Sequence, residues 1–231
     1  MSFEKPKPIP EENELPLKIS KSEASAHQGR ESALTDIKLE GKDQAFALKE
    51  VKKEEFASIE EMKKSKDFYD HLKRMPGLGK FVLNTSFFSA RETAQENPHA
   101  YRIQKLVEGK RLDELKDEEL YSDPELTKQL LDFVDSAIES LKKANESKEG
   151  SPDFYGDKLA AIYLYNPRYS GNIIIADKPD ENGRRIFLVD TSRQVQQASK
   201  IGGLYQKHVG SQLQIIQLER WKKKIEERLA K

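Results

Sequence analysis

The spacing of apolar residues changes once along the chain, and this change limits the folds that the sequence can adopt. Between residues 15 and 107 apolar residues alternate with polar ones in short runs, which is typical of half-buried β-strands. From residue 123 onward, long segments carry apolar residues three or four positions apart, which is the repeat of an amphipathic helix. Strands followed by helices predict an α+β fold.

The first part of the chain predicts an antiparallel meander. Its strand-like runs are residues 15–19, 34–39, 45–51, 80–84 and 101–107. A helix is predicted between the third and fourth runs, because Ser58 and Glu61 form a capping-box pattern and Pro76 stops the apolar repeat near Met75. The predicted order is therefore β-β-β-α-β-β, a five-stranded sheet with one helix.

The second part predicts two helices and a hairpin. Asp123 and Pro124 begin a helix of roughly twenty residues, and its predicted apolar stripe is Leu126, Leu130, Phe133, Val134, Ala137, Ile138 and Leu141. Further strands are predicted at 160–164, 172–176 and 185–190, and the last two are joined by turn-forming residues as a hairpin. A final helix carries an apolar stripe of Leu213, Ile216, Leu218, Trp221, Ile225 and Leu229.

Composition excludes several classes of protein. The 231 residues include 40 Lys+Arg and 40 Asp+Glu, and this balance argues against a nucleic-acid-binding protein. The absence of cysteine excludes disulfides, thiolate metal sites and cysteine nucleophiles. No apolar run approaches the ~20 residues that span a bilayer, so we expect a soluble, cytoplasmic protein without integral membrane contact. Residues 1–14 carry three prolines among charges and predict a flexible tail.

Four short motifs occur in an order that is similar to one known family. Residues 46–49 read Phe-Ala-Leu-Lys, residues 106–112 form a charged linker, residues 171–175 read Gly-Asn-Ile-Ile-Ile, and residues 186–191 read Ile-Phe-Leu-Val-Asp-Thr. With the layout above, these motifs resemble the protein-kinase-like superfamily, closer to its small bacterial and aminoglycoside-phosphotransferase-like branch. The resemblance implies a two-lobed fold, with an N-terminal lobe at 15–107 and a reduced, mostly helical C-terminal lobe at 108–231.

The resemblance implies a nucleotide site in the N-terminal lobe and the linker. Lys49 would contact the α- and β-phosphates of ATP, and Glu61 would hold Lys49 in place. Glu61 serves equally well as the capping-box partner of Ser58. The backbone of Val107 and Glu108 would read the adenine edge, whereas the alternative for this segment is an ordinary charged loop.

The resemblance also implies a magnesium site and an incomplete catalytic loop. Asn172 and Asp190 would bind Mg²⁺, because hard oxygen ligands suit this ion; both residues are also good turn formers. The position five residues before Asn172 is Pro167, which cannot accept a proton. Asp153 and Asp157 are displaced candidates for the catalytic base, with 158–170 read as an insertion; turn formation is their alternative role.

The expected function is nucleotide binding by a divergent kinase-like protein, as MgATP, with phosphoryl transfer to a hydroxyl acceptor if the chain is active. Only Gly29 lies where kinases carry a glycine-rich loop, and Thr191 follows Asp190 in place of phenylalanine. These departures favour an alternative, a catalytically inactive pseudokinase that binds a protein partner. A third alternative is an α+β interaction protein without a nucleotide site.

Overall fold

The structure is a computed structural model of the chain. It describes residues 20–21, 27–28, 32–38, 45–51, 59–90, 99–146, 167–189 and 211–230. The chain divides into two compact units. Unit 1 contains Met1–Lys64 and Asn84–Leu106, and unit 2 contains Ser65–Leu83 and Val107–Lys231. Among the helices of the described ranges, none has the length and apolar character needed to cross a membrane.

Unit 1 is built on an antiparallel sheet. Its described strands are β1 (Ser20–Lys21), β2 (His27–Gln28), β3 (Ser32–Lys38), β4 (Ala45–Val51), β5 (Thr85–Ala90) and β6 (His99–Lys105). The spatial order is β1-β3-β4-β6-β5, and β2 pairs with β3. The helix α1 (Ile59–Arg74) follows β4 in the chain, as the capping pattern predicts.

The sheet differs from the predicted one in the number and the positions of its strands. The described residues form six strands rather than five, and two of these are only two residues long. The predicted strand at 15–19 lies outside the described residues. The predicted strand at 80–84 is wrong: Leu78–Lys80 is a 3₁₀ turn, and the strand comes next, at Thr85–Ala90.

Burial explains the wrong strand. Phe81, Val82 and Leu83 are buried in unit 2, and Val82 makes a single parallel bridge with Leu188. A short apolar run indicates burial, but it does not distinguish a strand from an irregular buried segment. The chain therefore enters β5 only after this anchor.

Unit 2 combines a small sheet with helices. Its strands are β7 (Gly109–Arg111), β8 (Ile173–Ala176) and β9 (Ile186–Leu188), which are antiparallel neighbours in that order. Its helices are α2 (Asp117–Leu120), α3 (Pro124–Glu146) and α4 (Ser211–Leu229). Unit 2 also contains α1 from Ser65 onward and three 3₁₀ turns, Leu78–Lys80, Leu112–Glu114 and Pro167–Tyr169. The predicted strand at 160–164 lies outside the described residues.

The start and the buried face of α3 agree with the prediction. The Asp123 carboxylate accepts the backbone N–H groups of Glu125 at 2.9 Å and Leu126 at 3.3 Å, so it caps the helix before Pro124. The predicted stripe is buried, and its members are Leu126, Leu130, Phe133, Val134, Ala137, Ile138 and Leu141. Burial of each large apolar side chain contributes about 1.5–3 kcal/mol.

The helix α4 packs against α3 with a slightly different face from the predicted one. Leu218, Trp221 and Ile225 are buried as expected. Ile215 is also buried, whereas Ile216 is 42% exposed. Two adjacent isoleucines cannot both face the same neighbour, because successive helical residues lie 100° apart around the axis in a 3.6-residue turn. The packing of α3 selects Ile215.

Candidate functional site

The predicted hairpin forms and holds Asn172 at its open end. Ile173 pairs with Leu188 and Ile175 with Ile186 in the β8–β9 register. Asn172, immediately before β8, is only 8% exposed. Its backbone N–H donates to the Ser170 hydroxyl at 3.1 Å, and its carbonyl accepts the N–H of Val189 at 2.9 Å. The backbone of Asn172 is therefore held by its neighbours on both sides.

Val107 and Glu108 lie at the opposite end of the same small sheet. The Glu108 carbonyl accepts the backbone N–H of Asp177 at 3.0 Å. Val107 packs against the buried cluster of Leu83, Ala176 and Phe187. The linker segment therefore docks on the far end of β8, within unit 2.

Gly109 is required where this linker joins β7. A Cβ at this position would lie 2.2 Å from the carbonyl oxygen of Ile175, a distance that no side chain tolerates. Glycine allows the backbone of β7 to approach β8 closely. Close packing against β8 thus explains why glycine occupies position 109.

The two ends of β8 are far apart. Asn172 and Asp177 are separated by five residues, and five residues of extended strand span about 16 Å. Asn172 and Glu108 therefore lie too far apart for one metal ion to touch both. An elongated ligand with different groups at its two ends is needed to contact both.

Lys49 belongs to unit 1 and occupies a central position of its sheet. In the β-register it pairs with Leu34 of β3 and with Arg102 of β6. Ala47, two residues before it in β4, is buried. Ala47 pairs with Gln104, a buried residue whose amide donates to the Thr85 hydroxyl at 2.8 Å. The sheet is therefore covered at the position of Ala47.

The remaining predicted site residues, or their side chains, lie outside the part of the chain that the structure describes. Asp153, Asp157, Asp190 and Gly29 lie outside the described residues. Glu61 is the third residue of α1, and its side chain is likewise outside the described set. The described ranges contain no cluster of three His, Cys, Asp or Glu side chains that could hold a metal ion.

Pro167, five residues before Asn172, lies in a defined turn. Pro167 begins the 3₁₀ turn Pro167–Tyr169, which ends two residues before Gly171. Arg168 in this turn is largely buried and donates through Nη2 to the carbonyl of Leu115 at 2.6 Å and to Asp117 at 3.3 Å. The segment before Asn172 is thus tied to α2 by arginine hydrogen bonds.

A cavity of about 230 Å³ beside this turn was not predicted from the sequence. Its lining residues come from α2 and the residue after it, from the 3₁₀ turn and from α4: Asp117, Tyr121, Arg168, Tyr169, Gln217, Arg220, Trp221 and Lys224. The Trp221 indole donates to the Tyr121 hydroxyl at 2.8 Å, and Lys224 donates to Asp117. The only sequence signal was the basic α4 around the single tryptophan.

Two pKa values in the cavity are shifted, that of Asp117 by its charged partners and that of Tyr121 by burial. Burial alone would raise the pKa of Asp117, but hydrogen bonds and charges from Lys224 and Arg168 lower it overall. Burial raises the pKa of Tyr121, although the hydrogen bond from Trp221 opposes this effect. At neutral pH the cavity therefore holds an ionised Asp117 and a protonated Tyr121.

The chain is similar to known proteins in structure but not in sequence. No family model matches the chain, and no curated protein matches it. The chain is similar to the chain in the "Crystal structure of Rad53 1-466 in complex with AMP-PNP", with 12% sequence identity and a TM-score of 0.46. The match covers 85% of this chain and 46% of that chain, so this chain spans less than half the length of its neighbour.

Proposed function

We propose that this chain is a kinase-like protein that binds MgATP. The observation that carries the proposal is the position of Asn172 at the open end of the β8–β9 hairpin, hydrogen-bonded to Val189. Asp190 follows Val189 directly in the sequence. An amide oxygen and a carboxylate at neighbouring hairpin ends are suitable ligands for Mg²⁺. In this proposal, Asn172 and Asp190 hold the metal that bridges the phosphates.

The length of β8 supports a nucleotide rather than an ion alone. The backbone of Val107 and Glu108 would bind the adenine edge at one end of the strand. Asn172 lies about 16 Å away at the other end, by the rise of an extended strand. A nucleotide has a base at one end and charged phosphates at the other, so it can use both ends of this sheet.

The register of unit 1 supports an anionic ligand at Lys49. Lys49 and Arg102 are directly opposite each other on β4 and β6. Two basic residues at paired positions of a sheet attract an anion. In this proposal Lys49 holds the α- and β-phosphates, and Glu61 orients Lys49.

Phosphoryl transfer to a hydroxyl acceptor is the active form of the proposal. Asp153 or Asp157 would align the acceptor, and most of the rate would come from positioning and charge stabilisation. A pseudokinase that binds a protein partner is the second candidate. It is favoured by one observation: Pro167, in a 3₁₀ turn, occupies the position of the usual base and carries no titratable group.

The test of nucleotide binding is a melting experiment with and without excess MgATP. A ligand at 100 times its Kd stabilises the folded state by about 2.7 kcal/mol, so the Tm should rise. Lys49→Ala and Asp190→Asn should each remove the rise. The matched controls are Lys105→Ala, an exposed lysine at the end of β6, and Asp177→Asn, an exposed residue after β8. The controls should keep the rise.

The outcomes separate the alternatives. A Tm that is unchanged by MgATP in the wild type, or a rise that persists in both site variants, would contradict the nucleotide site. If MgATP binds, transfer of labelled phosphate to small hydroxyl compounds or to a protein mixture distinguishes a phosphotransferase from a pseudokinase. Asp190→Asn should abolish any transfer, because it weakens the metal ligand.

A further inference from the structure

The cavity beside α4 is a second candidate binding site. It belongs to unit 2 and includes none of the residues proposed above for nucleotide binding. Three of its lining residues are cations, Arg168, Arg220 and Lys224, and one is an acid, Asp117. The lining therefore carries a formal charge of about +2, by the ordinary ionisation states of these groups. A site of this kind attracts an anion.

The three cationic side chains differ in the ion pairs and hydrogen bonds that they already form. Arg168 and Lys224 both bind Asp117, which neutralises part of their charge. Arg220 is exposed, and it has neither an ion pair nor a hydrogen bond within the part of the chain that the structure describes. Its guanidinium is therefore available to a ligand. One guanidinium group can donate two parallel hydrogen bonds to two oxygens of a phosphate.

The aromatic residues supply a surface for a ring. Trp221 is buried, and its hydrogen bond to Tyr121 fixes the orientation of both rings. The Tyr121 ring has Lys224 Nζ and Arg228 Cζ at 5.8 Å from its centroid. Tyr169 is 43% exposed at the cavity and has room to stack on a ligand.

The size of the cavity limits the ligand. About 230 Å³ is smaller than the roughly 300–1,000 Å³ of pockets that hold drug-sized molecules. The cavity therefore suits one aromatic ring with one charged group. A phosphate on such a ring carries about −1.5 to −2 charges at pH 7, which balances the lining.

We propose that this cavity binds an aryl phosphate, with the phosphate on Arg220 and the ring on Tyr169. The same chemistry occurs in a free aryl phosphate and in a phosphorylated tyrosine side chain. The proposal is independent of nucleotide binding, because the residues and the ligand are different.

Trp221 makes the test specific, because it is the only tryptophan of the chain. Phenyl phosphate is titrated into the full chain while Trp221 fluorescence is recorded, and calorimetry measures the same titration. Both methods should show saturable binding. Inorganic phosphate lacks the ring and phenol lacks the charge, so each should bind at least about tenfold more weakly.

A titration with a phosphotyrosine peptide distinguishes the two sources of the ligand. Tighter binding of the peptide than of phenyl phosphate identifies a phosphorylated protein as the source, and equal binding shows that the ring and the phosphate suffice.

Arg220→Gln is the decisive variant. It should weaken phenyl phosphate binding by about tenfold or more, since a charge-assisted pair is lost. Lys223→Gln removes the same charge from an exposed position on α4 that does not line the cavity, and it should bind like the wild type. Equal Tm values for the two variants show that the fold is retained, because Arg220 makes no bond within the described residues.

Three results would overturn the proposal. The first is the absence of saturable binding by both methods. The second is equal affinity of wild type and Arg220→Gln for phenyl phosphate. The third is inorganic phosphate that binds as tightly as phenyl phosphate, because the ring would then contribute nothing.

Discussion

The sheet of β7, β8 and β9 and the cavity beside α4 hold polar residues by different means. In the sheet, backbone hydrogen bonds and a close strand approach at Gly109 fix Asn172 and Glu108. In the cavity, side-chain ion pairs and one indole–hydroxyl bond fix Asp117 and Tyr121. Backbone hydrogen bonds contain no titratable group, so the first arrangement should depend little on pH or salt. The ion pairs of the second weaken as pH falls through the pKa of Asp117 and as the salt concentration rises. The difference predicts how each region responds to substitution.

The largest expected effect is at Gly109. Gly109→Ala puts a Cβ into the carbonyl of Ile175, so β7 must shift, and the free energy of unfolding should fall by about 1–3 kcal/mol, as for overpacked cores. Gly171→Ala is the matched control, because its Cβ would meet nothing closer than 3.7 Å. Urea unfolding measures both. Equal stability of the two variants would show that the sheet is not held by this close approach.

The second effect concerns the bond between Trp221 and Tyr121. Tyr121→Phe removes the acceptor of the buried indole N–H, and should cost about 1 kcal/mol of unfolding free energy. Tyr169→Phe is the control; this hydroxyl forms no hydrogen bond within the described residues, so its loss should change little. If both variants lose the same stability in thermal unfolding, the indole bond does not organise the cavity.

The smallest effect is a pH dependence that only the cavity should show. The pKa of Asp117 is lower in the folded chain than its unfolded value. The stabilisation from ionised Asp117 is therefore fully present above the unfolded pKa of about 3.9 and is lost as pH falls through the folded pKa. Asp117→Asn should reduce stability at neutral pH and flatten its decline between about pH 5 and pH 2.

Asp177→Asn is the control for this pH series, since Asp177 is exposed and does not line the cavity. Urea midpoints across the pH series are the measurement. A wild-type decline in acid that Asp117→Asn leaves unchanged would mean that the cavity ion pairs do not contribute, and the contrast with the sheet would disappear. High salt at neutral pH should shrink the difference between wild type and Asp117→Asn.

Much of the secondary structure was predictable because it depends on local patterns. The cap at Asp123, the seven-residue apolar stripe of α3 and the β8–β9 hairpin follow from spacing and turn residues. The strand at 80–84 was wrong, since Phe81, Val82 and Leu83 are buried and pair with the chain around Leu188 rather than along a strand. Ile215 rather than Ile216 is buried for a similar reason, because packing against α3 selects the buried face of α4.

The two candidate sites differ in how much of each could be predicted. Asn172 belongs to the predicted hairpin, so its place before β8 follows from the sequence. Val107 and Glu108 reach the other end of β8 through β7, a strand that the sequence did not predict. The cavity combines Asp117, Arg168 and Lys224, which lie on three separate segments. No motif of contiguous residues contains them.

The sequence by itself determined α1, α3 and α4, the β8–β9 hairpin and most of the apolar face of α3, because periodicity and capping act over a few residues. Only the tertiary structure decided that Gly109 meets Ile175, that Trp221 bonds to Tyr121 and that Arg220 has no ion pair within the described part of the chain. Such contacts join residues far apart in the chain, and their partners are selected by packing and burial of the whole unit.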